Sequence, residues 1–372
     1  MTQTLDSVSL RRLRDRARRE VEAGLLPSAQ IAVGYRSEVV MFEAFGDANL
    51  DTRYSVFSAT KAFVAATIWS LIGDGLIDVS LPVAHYIAEF GTNGKETITV
   101  EQVMLHTSGF PHAPIDLLDG ATSAGRCAAF ARWRTTFEPG STWEYHAGTA
   151  HWVLAEIIER VTGSDYRDVV QSRVAHPVGL PRVLGLPADQ QDGIATLESV
   201  GELASKEEII ATFGRELPVT EVTTDALLRF NDPAVRSVGV PGGGGVMRAC
   251  DLAVFYQALL HNPGEVWRPE VLADGTGAVR NRLLERTAGY PANRSLGLIL
   301  AGDDGFSNVR GLGRTVSAGA FGHNGAGGQL AWADPVTGIS LGYCTNGLDQ
   351  HAVREPRRGT AIASLAGTLV SQ

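Results

Sequence analysis

A serine and a lysine stand three residues apart at the start of an alanine-rich apolar segment, as Ser58-Ala59-Thr60-Lys61. If this segment is helical, both side chains share one face and the Lys61 amine can reach the Ser58 hydroxyl. The helix N-terminus would stabilise an alkoxide there, and burial would lower the lysine pKa so that the amine can accept a proton. The spacing therefore predicts a nucleophilic serine with a lysine base. A structural role, with Ser58 as an N-cap and Lys61 snorkelling to the surface, also fits these four residues.

Two later segments carry further candidate side chains. Residues 143–147 read WEYHA and precede a predicted helix, and residues 321–328 read FGHNGAGG and lead into a predicted strand. Taken alone, Tyr145 could simply close the start of the helix, and His323 could end a strand. Their order and setting nevertheless strengthen the hypothesis of a catalytic Ser58.

Two other motifs are set aside. Residues 338–342 read GISLG and match GxSxG, but Ser340 lies inside a predicted strand, whereas a nucleophile elbow needs a strand-to-helix turn. Residues 241–245 read PGGGG, yet no Gly-Lys-Ser/Thr follows them as a phosphate-binding loop requires. We interpret Ser340 as a strand residue and residues 242–245 as a flexible loop.

Several of these motifs together resemble the serine β-lactamase and penicillin-recognising superfamily. Within it, the chain is most similar to class C β-lactamases and to the related family VIII carboxylesterases. The matching motifs appear in family order and span about residues 27 to 347: SATK at 58–61, LHTSGF at 105–110, Tyr145, the glycine run at 241–245 and HNG at 323–325. As a set they are far more specific than any one of them.

The resemblance implies a role for each matching residue. Ser58 would be the acylated nucleophile and Lys61 its partner in proton transfer. Tyr145 would share the general-base role and protonate the leaving group. The oxyanion hole would consist of the backbone N–H groups of Ser58 and of Ala326, the latter at a strand edge.

The chain departs from the lactamase pattern at two expected substrate contacts. Ala147 replaces the asparagine that ends the tyrosine motif, and His323 replaces a lysine that would attract a substrate carboxylate. His323, with Asn324 and Gly325, is still expected to line the substrate site. These changes favour uncharged esters, so we predict a serine carboxylesterase acting on small to medium acyl groups through an acyl-enzyme. A β-lactamase or D-alanyl-D-alanine carboxypeptidase, and an acyl-binding sensor without turnover, stay open as alternatives.

The pattern of apolar residues predicts the elements that must position these groups. The sequence predicts a helix from Ser58 to Ile72 that stops near Gly73. The other expected helices run from Thr149 to Val161, from Asp251 as N-cap to Leu260, and from Thr360 to Val370. A hairpin is expected from Ala29 to Tyr35 and Val39 to Phe45, and further strands from Leu296 to Ala301, Gln329 to Ala333 and Ile339 to Cys344. Strands near both ends and helices between them predict an α+β, β-lactamase/penicillin-binding-protein-like fold with an antiparallel sheet flanked by helices. We expect one domain from residues 1–75 and 285–372 and an inserted, mainly helical domain from residues 76–284.

Composition excludes several classes of function. The 372 residues carry 32 Lys+Arg against 41 Asp+Glu, a net charge of −9 that disfavours nucleic acid. No apolar stretch is long enough for a membrane span, and the polar, arginine-rich start does not resemble a secretory signal, so we expect a cytoplasmic protein. Scattered cysteines and histidines without ligand spacing predict no metal and no cofactor. The expected partner is a small ester, and the oligomeric state stays open.

Overall fold

A six-stranded antiparallel sheet forms the centre of the computed structural model, which describes residues 4–217, 221–286 and 289–370. The strands of this sheet are β1 (Ser28–Tyr35), β2 (Glu38–Gly46), β6 (Ile299–Leu300), β7 (Phe321–Gly322), β8 (Leu330–Asp334) and β9 (Ile339–Thr345). The strand order is β2-β1-β9-β8-β7-β6, so strands from both halves of the chain lie side by side. Two small sheets pair β3 (Tyr54–Ser55) with β5 (Val246–Met247) and β4 (Glu198–Val200) with β10 (Gly347–Asp349).

Helices cover the sheet and fill the rest of the fold. They are α1 (Ser7–Glu22), α2 (Thr60–Gly73), α3 (Val83–Tyr86), α4 (Val100–Met104), α5 (Ser123–Phe130), α6 (Thr149–Thr162), α7 (Tyr166–Val170), α8 (Lys206–Phe213), α9 (Thr224–Leu228), α10 (Pro233–Val238), α11 (Ala249–His261), α12 (Pro269–Gly277) and α13 (Arg354–Ala366). Helix α11 packs on β1 and β9, and α1 packs on β1 and on α13. In the part of the chain that the structure describes, no helix combines the length and apolar character needed to cross a bilayer.

Strand β1 is buried along its whole length because both faces of the sheet are covered. Ile31 and Val33 point into a core formed with α1 and α13, whereas Ala32 belongs to the core that surrounds α2. This alternation follows from the two-residue period of a strand. The predicted hairpin is therefore confirmed, and its apolar runs serve two cores.

Helix α2 runs through the larger core. Nearly all of its side chains are buried, including Lys61, which agrees with the predicted alanine-rich buried helix. Helix α6 also matches its prediction and ends at Gly163, whose φ of 68° provides the left-handed C-cap. Both helices thus have the positions that the apolar pattern indicated.

Two predicted helices have different bounds in the structure. Helix α11 starts at Ala249 with Arg248 as its N-cap residue, so the prediction of Asp251 as N-cap is wrong. Asp251 instead accepts a hydrogen bond from the Arg248 backbone at 2.8 Å. Helix α13 spans Arg354–Ala366 and not Thr360 to Val370 as predicted, and its first turn tolerates Pro356 because a proline there has no intrahelical hydrogen bond to lose.

The strand expected from Leu296 to Ala301 is reduced to β6, two residues long. Gly297, with a φ of 100°, and a hydrogen bond from the Ser295 N–H to the Leu298 carbonyl at 3.1 Å turn the chain just before it. The division into domains at residues 75/76 and 284/285 stays a prediction. The strands of the six-stranded sheet come from outside residues 76–284, whereas β4, β5 and α11 lie within that range, and α11 packs directly on the large sheet.

Candidate active site

Ser58 lies in a short 3-10 turn, Phe57–Ala59, that continues directly into α2. Phe57 has a φ of 45°, a left-handed conformation that is strained for a bulky residue and is common at functional sites. The preceding segment is fixed by the β3–β5 pairing and by the Val56 N–H, which donates to the Gly245 carbonyl at 2.9 Å. Ser58 is half-buried, so its hydroxyl is held at the start of the helix but is not closed off.

Lys61 is fully buried one turn further along α2. Its Nζ lies 3.2 Å from Ser58 Oγ and donates to the carbonyl oxygens of Ala147 at 2.8 Å and Gly242 at 2.6 Å. Burial lowers the pKa of Lys61, Tyr145 opposes this change, and the positive charge of Arg294 adds to it. A neutral amine has two N–H groups for the two carbonyls and one lone pair left for Ser58. The site therefore suits a lysine that accepts the Ser58 proton.

Tyr145 contacts the same hydroxyl from the opposite segment of the chain. Its Oη donates to Ser58 Oγ at 3.0 Å. The loop that carries it is fixed by His146, whose Nδ1 donates to the Glu144 carbonyl at 2.6 Å while Nε2 accepts from the Phe110 N–H at 3.2 Å. Burial lowers the His146 pKa to about 4 and keeps the ring neutral, as these two bonds require. The structure thus brings Ser58, Lys61 and Tyr145 together.

His106 supports the same loop, as a structural rather than catalytic group. Its ring is fully buried, 4.9 Å from the Tyr145 ring centroid, and its Nδ1 accepts from the His146 N–H at 3.3 Å. Burial lowers its pKa well below the usual value, and the charge of Arg294 lowers it further. The imidazole therefore acts as a neutral acceptor behind the tyrosine.

The segment that leads into β8 lies beside Ser58. A Cβ at Gly325 would overlap the Val56 carbonyl oxygen, so only glycine allows the segment to approach this closely. Ala326 lies in a 3-10 turn, Ala326–Gly328, and not on a strand edge as predicted, because β8 starts only at Leu330. Gly327 lies against the Phe57 ring: a Cβ added at Gly327 would be 3.8 Å from the ring. The expected oxyanion donor is therefore on a turn packed next to the nucleophile segment.

The side chains of His323 and Asn324, which were expected to contact substrate, are both held within the protein. His323 is 3% exposed, and burial followed by the charges of Arg294 and Lys61 lowers its pKa well below the usual value. It is consequently a neutral group, as the sequence suggested. Asn324 donates to the Gly311 carbonyl at 2.6 Å and accepts from the Ala331 N–H at 2.9 Å. Its side chain is used to hold the segment in place.

Sequence reasoning missed three parts of this site. The carbonyls of Ala147 and Gly242 bind Lys61, although Ala147 was selected only for its missing side-chain amide. Residues 242–245 are a packed turn and not a flexible loop. Arg294 lies over the Tyr145 ring, with its guanidinium carbon 5.4 Å from the centroid. No motif marks Arg294, whereas the glycine run could have indicated close backbone packing near the lysine.

The second serine motif lies away from this cluster. Ser340 is fully buried in the middle of β9, donates to the Ala253 carbonyl at 2.8 Å and accepts from Gln257 Nε2 at 3.1 Å. The prediction that it lies in a strand is confirmed. No strand-to-helix turn presents its hydroxyl to a substrate.

Comparisons with known proteins agree with this architecture. The family model described as Beta-lactamase matches residues 13–365. "Esterase/beta-lactamase LipL" of Mycobacterium tuberculosis (strain ATCC 25618 / H37Rv) is 31% identical over 81% of this chain and 70% of its own length. "Esterase EstB" of Burkholderia gladioli is 29% identical over 60% of each chain. The crystal structure of a family VIII carboxylesterase has a TM-score of 0.77 and 25% identity, covering 98% of this chain and 99% of that one. The chain belongs to the Beta-lactamase family and is a hydrolase of the serine β-lactamase and esterase superfamily.

Proposed function

We propose that this protein is a serine carboxylesterase that hydrolyses esters with small to medium acyl groups through an acyl-enzyme on Ser58. The observation that carries the proposal is the position of Ser58 Oγ, 3.2 Å from Lys61 Nζ and 3.0 Å from Tyr145 Oη. A hydroxyl between a desolvated amine and a phenol has both a proton acceptor and a proton donor within hydrogen-bond distance.

In acylation, Ser58 Oγ attacks the ester carbonyl carbon while its proton passes to the Lys61 amine. The carbonyl π electrons move to oxygen, and the backbone N–H groups of Ser58 and Ala326 stabilise that oxyanion. When the carbonyl re-forms, the C–O bond to the alcohol breaks and the leaving oxygen takes the Tyr145 proton. The Lys61 ammonium then returns a proton to the phenolate, which restores both groups.

Deacylation repeats these steps with water in place of Ser58. The Lys61–Tyr145 pair accepts a proton from the attacking water, and Ser58 leaves as the alcohol after the tetrahedral intermediate collapses. The products are the carboxylic acid and the unmodified enzyme. This pathway uses only the groups that surround Ser58.

The preference for esters over β-lactams rests on the two departures from the lactamase pattern. Ala147 offers a substrate amide no side-chain hydrogen bond, and its carbonyl is already bound to Lys61. His323 is buried and neutral, so it does not supply the positive charge that a lysine would place there. An ester has a better leaving group than an amide and depends less on such contacts. The name of EstB gives esterase alone, which supports the same choice, whereas the name of LipL gives both esterase and beta-lactamase.

The test compares kcat/KM for p-nitrophenyl butyrate and for a chromogenic cephalosporin, with Ser58→Ala as the control for background hydrolysis. We expect the ester value to exceed the lactam value by two to four powers of ten, because each missing contact costs about 1–3 kcal/mol. A lactam preference, or release of D-alanine from a D-Ala-D-Ala peptide at a higher kcat/KM, would assign the alternative enzyme function. A single stoichiometric burst without turnover of any substrate would indicate an acyl-binding sensor.

A further inference from the structure

Arg294 is a buried arginine without a counter-ion beside the catalytic groups. It is 5% exposed, and its guanidinium carbon lies 5.4 Å from the ring centroids of both Trp143 and Tyr145. Its Nε and Nη1 are shielded from solvent and have no acceptor. Among the described residues, no Asp or Glu forms an ion pair with it. The two aromatic rings are therefore the groups that hold this charge.

The surroundings of Arg294 add positive rather than negative charge. Lys61, His106 and His323 all have pKa values lowered in part by the nearby Arg294. The groups that act favourably on the guanidinium are the phenols of Tyr145 and Tyr290, and neither is a carboxylate. Removing one partner of a buried ion pair is strongly destabilising because an uncompensated charge remains. An anion bound beside Arg294 would compensate this buried charge.

We propose that Arg294 is an anion subsite that binds a carboxylate carried by the substrate. The inference rests on the proposed function and narrows its substrate class to esters that bear a second, ionised carboxylate, such as monoesters of dicarboxylic acids. A planar guanidinium with free N–H groups suits bidentate binding of a carboxylate. The two rings fix its plane, which reduces the side-chain entropy lost on binding.

The position of this charge changes the expectation drawn from His323. The sequence favoured uncharged esters because a neutral histidine replaces lysine at position 323. The structure supplies a positive charge instead on the Trp143–Tyr145 side of Ser58. A substrate carboxylate would thus approach the tyrosine side of the site, where the Tyr145 ring centroid lies 6.1 Å from that of His323.

The experiment compares two p-nitrophenyl esters with acyl chains of equal length: the neutral valerate and the anionic monoester of glutarate. The variants are Arg294→Met, which keeps side-chain length without charge, and Arg294→Lys, which keeps charge without the planar fork. Arg286→Met is the matched control because Arg286 is 65% exposed and lies 3.5 Å from Glu144, the neighbour of Tyr145. This substitution removes one exposed positive charge near Glu144 but not the buried one.

For the unsubstituted enzyme we expect kcat/KM to favour the glutarate monoester by at least about 10-fold, since one charge-assisted bidentate contact contributes on this scale. Arg294→Met should lower that preference by about 10- to 100-fold, mainly through KM for the anionic ester. Arg294→Lys should retain part of it, and Arg286→Met should leave the preference unchanged. Equal use of both esters, or an equal loss in Arg286→Met, would overturn the inference. Absence of turnover with both esters would instead reject the proposed function.

Ligand binding to the inactive variant Ser58→Ala tests whether Arg294 binds the second carboxylate of a substrate or the carboxylate that hydrolysis releases. Monomethyl glutarate and dimethyl glutarate differ only by the ionised group, and valerate carries only the product-like carboxylate. We expect calorimetric binding of monomethyl glutarate that disappears in Ser58→Ala/Arg294→Met and is weaker or absent for dimethyl glutarate. Binding of valerate that equals monomethyl glutarate and depends equally on Arg294 would show a product site and overturn the proposal. If Arg294→Met does not fold, Arg294→Lys decides the same comparison.

Discussion

Two serines in this chain lie in short motifs associated with nucleophiles, and their surroundings differ. Ser58 is half-buried at a helix start and contacts an amine and a phenol. Ser340 is completely buried in a central strand and contacts a backbone carbonyl and the Gln257 amide. The first serine has partners that can take up or release a proton. The second has partners that only hold it in place, so local geometry and partners distinguish the two better than the motif does.

The largest effect on activity is expected from removing the Ser58 hydroxyl. Ser58→Ala should lower kcat/KM for p-nitrophenyl butyrate by roughly 10⁴-fold or more, because no other group would accept the acyl chain. Covalent labelling with a fluorophosphonate, located by peptide mass spectrometry, checks the site directly. A label on Ser340, or full activity of Ser58→Ala, would reverse the comparison.

The next largest effect concerns the partners of Ser58. Lys61→Ala should lower kcat/KM by about 10³-fold, and adding Tyr145→Phe should lower it by less than about 10-fold more, since groups that act as a unit lose activity non-additively. Lys61→Met serves as the length-matched control, because both variants leave the carbonyls of Ala147 and Gly242 without their donor. Losses that multiply in the double variant would show two independent roles.

Buried histidines around Ser58 should make stability depend on pH. The pKa of His146 is lowered to about 4, and burial lowers the pKa values of His106, His151 and His323 well below the usual value. Below about pH 6.5 the unfolded chain binds more protons than the folded one, so the free energy of unfolding falls as pH falls. Each histidine that stays neutral contributes about 1.4 kcal/mol per pH unit.

Urea unfolding at pH 7.5, 6.5 and 5.5 measures this dependence. The lowered pKa of Lys61 also makes the free energy of unfolding rise with pH, because the unfolded chain binds the lysine proton more strongly. The free energy of unfolding should therefore not fall when the pH is raised from 6.5 to 7.5. The raised pKa of His112, which lies between Glu144 and Glu221, acts in the opposite direction but on an exposed group. A free energy of unfolding that stays constant or rises on acidification would contradict the neutral state of the buried rings.

A smaller effect, on the preference between lactam and ester substrates, is expected from substitutions at positions 147 and 323. Ala147→Asn should raise the ratio of lactam to ester kcat/KM by about 10-fold, and adding His323→Lys should raise it further, to about 100-fold in all. The single variant is the safer measurement because residue 147 is half-exposed, whereas His323 is buried. An unchanged ratio in a folded double variant would place the discrimination in other residues.

The smallest effect on catalysis is expected at Ser340. Ser340→Ala should leave kcat/KM unchanged within about two-fold and reduce the free energy of unfolding by about 1–2 kcal/mol, because the Ala253 carbonyl and the Gln257 amide each lose a partner. Gln257 retains its bond to the Gly338 carbonyl at 3.0 Å, which limits the loss. A 100-fold loss of activity in a folded Ser340→Ala protein would make the two serines alike after all.

The relation between Ser58 and Lys61 could be predicted because it is local. Three residues on a helix place two side chains on one face whatever the rest of the fold does. Tyr145 required the family resemblance, since 87 positions separate it from Ser58. Arg294 had no such signal. It reaches the Tyr145 ring from an irregular segment before β6, and only tertiary packing brings the two together.

The ends of elements were predicted less well than their existence. The predicted start of the last helix at Thr360 was too late, because α13 begins at Arg354 and its first turn tolerates Pro356. The apolar run near Leu298 suggested a longer β6, yet the left-handed Gly297 interrupts it. In both places one backbone property outweighed the periodic pattern. Neither error moved the predicted catalytic groups.

The pairing of β1 with β9 affects how the chain reaches its folded state. Thr345 Oγ1 donates to the Ser28 carbonyl across 317 positions of sequence. At 5–20 residues per second, a ribosome takes roughly 15 to 60 s to make the intervening chain. During that time the β1–β2 hairpin exposes an apolar strand edge, and pairing over so many residues closes slowly. The sheet that supports the catalytic segment therefore forms late in synthesis, and the nascent chain is most exposed to aggregation or chaperone binding before β9 emerges.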